Sequence, residues 1–233
     1  MKIKIIILFI STLLGYSGHS GIYFENGLTL DGSYIMMDSD GDEEENGFRI
    51  GFSYLEKQAP IENPDRPTLF QSGILELSGF YTEYSSSLSN SSLEMKQTLG
   101  GLGLNFHIKN LKFGYNYESY INASAKSNGE NLDLDVSGNR QMFCIGISHE
   151  LMPFSSDTFK DFKGKVFLDY NIASGEIAIE MSGIQLIEDT FKDSRATIIG
   201  LGLQKNNFVI QPSIMIPKGD ADSQLYFSFI YKL

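Results

Sequence analysis

Gln224-Leu225-Tyr226-Phe227-Ser228-Phe229-Ile230-Tyr231-Lys232-Leu233 stands at the end of this 233-residue sequence. From Leu225 to Leu233 every second residue is apolar or aromatic, and the residues between them include Ser228 and Lys232. In an extended chain successive side chains point to opposite faces, so this period of two reads as a strand with one apolar face. A helix would gather residues three and four apart and would mix the two sets.

The same period recurs upstream. Leu28, Leu30, Gly32, Tyr34 and Met36 form one such set, and Phe48, Ile50, Phe52 and Tyr54 another. Further sets run over residues 75–82, 101–108, 111–118, 142–148, 165–172, 199–204 and 208–216. With the terminal stretch this predicts ten strands, with eight as the alternative count. A helical reading fails at Leu99-Gly100-Gly101-Leu102-Gly103-Leu104, because each Gly costs a helix about 1 kcal/mol.

Composition removes several classes. The chain holds 18 Lys+Arg against 29 Asp+Glu, a formal charge of −11, and one Cys. A disulfide scaffold needs more than one Cys. A pI near 4.7 argues against nucleic acid as a partner. Hydrophobic residues at 42% are too many for wholesale disorder. No apolar run reaches the roughly 20 residues of a transmembrane helix. A β-barrel survives that filter, because its strands place lipid-facing residues only at every second position. A mean hydropathy of −0.12 is then the average of two faces.

The N-terminus has a different pattern. Lys2 and Lys4 precede the ten apolar-rich residues Ile5–Leu14, and Gly15–Ser20 is small and polar. This is the three-part arrangement of a secretory signal peptide, expected to span residues 1–20, with the barrel domain over 21–233. Ten residues are too few for a membrane anchor. Loss of Lys2 and Lys4 with that segment takes the charge from −11 to −13.

The connections suit an antiparallel up-and-down order. Lys109-Asn110 and Asn206-Asn207 fit two-residue turns, where Asn tolerates positive φ. Asp38–Gly47, Tyr84–Glu94, Asn122–Gly138, Ser174–Arg195 and Pro217–Asp222 read as longer loops, all at the end opposite the termini. Ile177–Leu186 alternates loosely and suits a hairpin that extends beyond the membrane. Lys57–Thr68 and Met152–Phe162 read as excursions on the side of the termini.

The terminal set Leu225, Phe227, Phe229, Tyr231 and Leu233 resembles the C-terminal insertion signal of Gram-negative outer-membrane β-barrels, with Leu233 where that family usually carries Phe or Trp. The mature chain is similar in architecture to small barrels of the opacity-protein type. The resemblance implies a place in the bacterial outer membrane and folding by the barrel-insertion machinery. It implies contact with outer-membrane lipid and lipopolysaccharide. It also implies a structural or surface-interaction role, adhesin-like or for envelope integrity, through the outer loops, with a narrow pore or small-solute transporter as the alternative and a lipid-active outer-membrane enzyme as the third reading. A monomer without cofactor is expected, and its extracellular ligand is unknown. With no Trp, Tyr and Phe would form both interfacial girdles.

If the apolar face meets lipid, the other face lines the lumen. That face carries Asp31, Arg49, Glu76, Lys112, Glu118, Arg140, Lys165 and Asp169, of both signs, which suits a core closed by ion pairs. About eight strands leave an interior filled by side chains, whereas 16–18 leave an aqueous pore, so little conductance is expected. Enzyme chemistry is not expected. Ser148-His149-Glu150 has the residue types of a catalytic triad, but neighbours in a strand point to opposite faces and cannot converge. Asp38, Asp40 and Asp42, with Glu43, Glu44 and Glu45, begin like a calcium loop. Glu43 then stands where Gly is needed and Arg49 where a bidentate Glu is needed, so the segment reads as a solvated anionic loop and no metal site is assigned. Cys144 lies on the lumen parity and reads as a small buried residue.

Overall fold

The computed structural model describes residues 22–37, 43–58, 73–88, 93–153, 159–219 and 223–233. The expected signal peptide lies outside the described residues. The strands are β1 (Gly27–Met37), β2 (Glu43–Lys57), β3 (Gly73–Leu88), β4 (Leu93–Ile108), β5 (Leu111–Ser127), β6 (Glu130–Leu132), β7 (Leu134–Glu150), β8 (Lys163–Met181), β9 (Ile184–Lys205), β10 (Phe208–Pro217) and β11 (Gln224–Lys232). Each pairs antiparallel with its chain neighbour, except that β6 pairs only with β5 and β7 takes β5 as its partner. β1 pairs with both β2 and β11, with Thr29 opposite Lys232 and Met37 opposite Gln224. The ring therefore closes with ten strands, β6 being a short rung paired only with β5. All ten runs read from the alternation fall inside these strands, and the eight-strand alternative is set aside.

Burial decides which way the faces point. Leu225, Phe227, Phe229 and Tyr231 are 41–50% exposed, while Tyr226, Ser228 and Ile230 between them are 1–3% exposed. The apolar set of each run thus faces outward, as lipid requires and as a soluble sandwich would forbid. Tyr54 and Tyr231 lie outward near the end of the termini, and Tyr34, Tyr117 and Tyr170 toward the other end. On β8 the outward apolar set is Val166, Leu168, Tyr170 and Ile172. Past a bulge between Ala173 and Gly175 the outward residues become Glu176 and Glu180, so β8 leaves the apolar belt there.

The strands run farther than alternation alone marks. Asn122–Gly138 is not an open loop: β5 continues to Ser127, Asn128-Gly129 turns with φ of 52° and 83°, and β7 begins at Leu134. Ser174–Arg195 is likewise a hairpin, turning at Ser182-Gly183 with φ of 53° and 73°. Both turns hold Gly at the second central position of a primed turn, which requires positive φ. The physical reason for the difference is that polar outward residues above the lipid belt erase the alternation without ending the hydrogen-bond ladder. Of Tyr84–Glu94, only 89–92 lie outside the described residues, as do 59–72 and 154–158 on the side of the termini.

Candidate functional site

The lumen is the candidate site, and the strand register explains its pairings. Asp31 stands opposite Gly51, and Arg49 lies two residues along the same inward face, its Nε 4.0 Å from Asp31 Oδ2. The Arg49 guanidinium also lies 3.9 Å from the centre of the Phe80 ring, an attractive cation–π contact. Glu76 stands opposite Asn105 and receives a 3.3 Å hydrogen bond from its Nδ2. His107, two residues on, places Nε2 2.8 Å from Glu76 Oε2. Glu118 and Arg140 are direct partners of β5 and β7 and form an ion pair. Lys112 reaches Asp169 at 3.3 Å across β7. These polar and charged side chains are all nearly inaccessible. Lys165 differs: it lies at the mouth near the termini, 3.2 Å from Glu150, and is partly exposed. Cys144 is buried with Sγ 3.4 Å from Asp169 Oδ2.

Apolar layers flank this charged belt. Ile35, Tyr84, Leu99, Ile198, Met215 and Tyr226 belong to one buried cluster. They come from β1, β3, β4, β9, β10 and β11, and Phe167 of β8 belongs to the same cluster. Tyr120 joins that cluster to another at the far end, built on Leu93, Met95, Val136, Ile177 and Ile179. At the end of the termini Tyr23 and Phe24 fold into the mouth and pack on Leu55, Val209 and Ile230. Several contacts hold this segment. Lys165 Nζ donates to the Ile22 carbonyl at 2.5 Å, Lys57 pairs with Glu25 at 2.6 Å, and Lys232 Nζ donates to Asn26 Oδ1 at 3.3 Å. The Tyr23 ring rests against Gly202, where a Cβ would collide with the phenol oxygen. Burial, and then the charge of Asp169, pushes the Tyr23 phenol well above its usual range.

Sequence reasoning named the charged residues but not the apolar layers. The signal was present: Ile35, Tyr226, Met215 and Ile198 sit between outward apolar residues, so both parities are apolar at those points. The N-terminal segment carries no comparable signal, since Tyr23-Phe24 precedes the first alternating run.

The acidic stretch is divided. Asp38, Asp40 and Asp42 lie outside the described residues. Glu43, Glu44 and Glu45 are not loop residues as expected but open β2, opposite Leu88, Ser87 and Ser86. Glu45 shares the inward parity of Gly47 and Arg49 and is buried. The described residues contain no group of three or more His, Cys, Asp or Glu arranged to hold a metal. Of Ser148, His149 and Glu150, consecutive on β7, His149 is exposed and its neighbours point the other way. The stretch Leu225, Phe227, Phe229, Tyr231 and Leu233 lies on the outward face, four of its members on the strand that closes the ring.

No protein-family model and no curated protein matches the chain. Solved structures do match in fold. The translocator domain of the autotransporter NalP from Neisseria meningitidis is 13% identical, with a TM-score of 0.54, over 99% of this chain and 94% of that one. The transport unit of the autotransporter AIDA-I from Escherichia coli is 10% identical, with a TM-score of 0.51, over 98% of this chain and 96% of that one. At such identities the likeness speaks to fold: the chain is a closed, antiparallel, ten-stranded barrel of the outer-membrane type, similar to autotransporter translocator domains.

Proposed function

We propose that the protein is an integral outer-membrane barrel whose filled lumen makes it a scaffold, presenting its long outer hairpins for surface interaction or envelope integrity. The observation that carries this reading is the buried cluster of Ile35, Tyr84, Leu99, Ile198, Met215 and Tyr226, contributed by six of the ten strands of the ring. A path for solute would have to displace it and the apolar cluster beyond it. The outward apolar belt and the likeness to translocator barrels support the outer membrane as the location. The hairpin of β8 and β9 extends past the belt and offers an outer surface. The terminal set Leu225–Leu233 serves the insertion machinery in this reading.

Single-channel recording in planar bilayers tests it. The expected trace has no stable steps. Steps of nanosiemens size would overturn the scaffold reading in favour of a narrow pore. Binding to host or envelope components that persists after trimming the outer hairpins would remove the surface-interaction part.

A further inference from the structure

The N-terminal segment covers only part of the mouth that it enters. It packs on Leu55 of β2, Val209 of β10 and Ile230 of β11, with Tyr23 against Gly202 of β9, and a cavity of about 470 Å³ lies beside it. Five lysines line this cavity, Lys57, Lys109, Lys112, Lys163 and Lys165, against three acids. Each acid already has a lysine: Glu25 holds Lys57, Glu150 holds Lys165 and Asp169 holds Lys112. Among the described residues no carboxylate answers Lys109 or Lys163. In a chain of net charge −11, two uncompensated lysines on one cavity run against the average. Turn chemistry does not explain Lys109 either. Its φ is 52°, a conformation that Asn or Gly adopts more readily than Lys.

We propose that this mouth binds a soluble, multiply charged phosphate-bearing anion between Lys109 and Lys163, above His107 and Lys112. Lysine serves phosphate as a point charge and needs no bidentate geometry. The volume is that of a small-molecule site. The cavity opens at the rim, where Leu111 and Ile147 of the outward belt join the inward residues in lining it, so a lipid headgroup is the competing source of the same phosphate chemistry. The inference stands apart from the scaffold reading, since it concerns the end opposite the outer hairpins.

The test is calorimetric titration of the folded full chain in zwitterionic micelles with pyrophosphate, with inorganic phosphate as the weaker probe. The variant Lys109→Asn/Lys163→Gln removes the two free charges and leaves the three ion pairs in place. The control Lys126→Gln/Lys192→Gln removes equal charge from exposed sites at the far end. Saturable pyrophosphate binding is expected, weakened about tenfold or more in the first variant, as loss of two of the cavity's charges implies, and unchanged in the control. Should the double variant fail to show the heat-modifiable mobility of a folded barrel, Lys163→Gln alone carries the same comparison. Absence of saturable heat, or equal weakening in both variants, would overturn the site. A response only to micelles doped with phosphatidylglycerol would overturn the soluble source.

Discussion

Lys112 and Asp169 meet at 3.3 Å although β7 runs between their strands. Gly146 makes this possible: it stands opposite both residues, and a Cβ there would occupy the space of the Asp169 carboxylate. A buried pair of this kind is costly to break, because the partner left behind is a lone charge out of water. Asp169→Asn should therefore destabilise the barrel by about 3–5 kcal/mol. The double variant Lys112→Met/Asp169→Leu should cost less than Asp169→Asn alone, since neither charge remains. Urea unfolding midpoints in liposomes measure both, and additive costs would contradict the pairing.

The outward face gives a depth-dependent prediction. Ile145 is the middle member of the exposed set Phe143, Ile145 and Ile147 on β7, and Gln141 lies beyond it on the same parity. Ile145→Arg should destabilise the folded barrel in liposomes by about 2–4 kcal/mol, whereas Gln141→Arg should cost about 0–1 kcal/mol. Equal costs at the two positions would mean that the belt does not sit in lipid as the burial pattern requires.

These two predictions rest on features of different legibility. Outward residues such as Ile145 and Phe227 are visible in the sequence, because a lipid face tolerates almost nothing polar and the period of two follows. The number of strands is visible for the same reason. Where the strands leave lipid, as at Glu176 on β8, that constraint ends and the ladder continues unmarked. Arg49 and Asp31 are legible as inward charges, but their partnership depends on register, which places Gly51 opposite Asp31. Register is set by pairing along the whole strand and not by any local motif. The inward apolar residues Tyr226 and Met215 were open to reading as exceptions to the alternation. The seat of Tyr23 and Phe24 was not, because it depends on Gly202, far away in sequence.

Removal of the N-terminal stopper separates stability from permeability. Phe24 packs on Leu55, Val209 and Ile230 and lies under the Lys232 ammonium, 5.8 Å from its ring centre. Phe24→Ala should cost about 3–5 kcal/mol, the range for a buried aromatic truncated to Ala. Tyr23→Ala/Phe24→Ala should nevertheless produce no stable conductance, because the buried cluster around Tyr226 and Met215 remains in the interior. Loss of stability is read from the temperature of the heat-modifiable shift and conductance from planar bilayers. A conducting double variant would assign the closure to residues 22–26 alone.

In the outer-membrane reading the two ends of the barrel face different compartments, and one experiment distinguishes them. Gln185 is exposed beside the turn of the β8–β9 hairpin, and Asn207 is exposed in the turn of the β9–β10 hairpin, beside the termini. Export of the chain with its termini inside places Gln185 outside the cell and Asn207 in the periplasm. Cys144 is 2% exposed, so the native thiol should stay silent toward a membrane-impermeant maleimide until the protein is unfolded. Gln185→Cys should label on intact cells, and Asn207→Cys only after the outer membrane is permeabilised. The reverse pattern would invert the barrel in the membrane and would put the lysine-lined mouth on the cell surface.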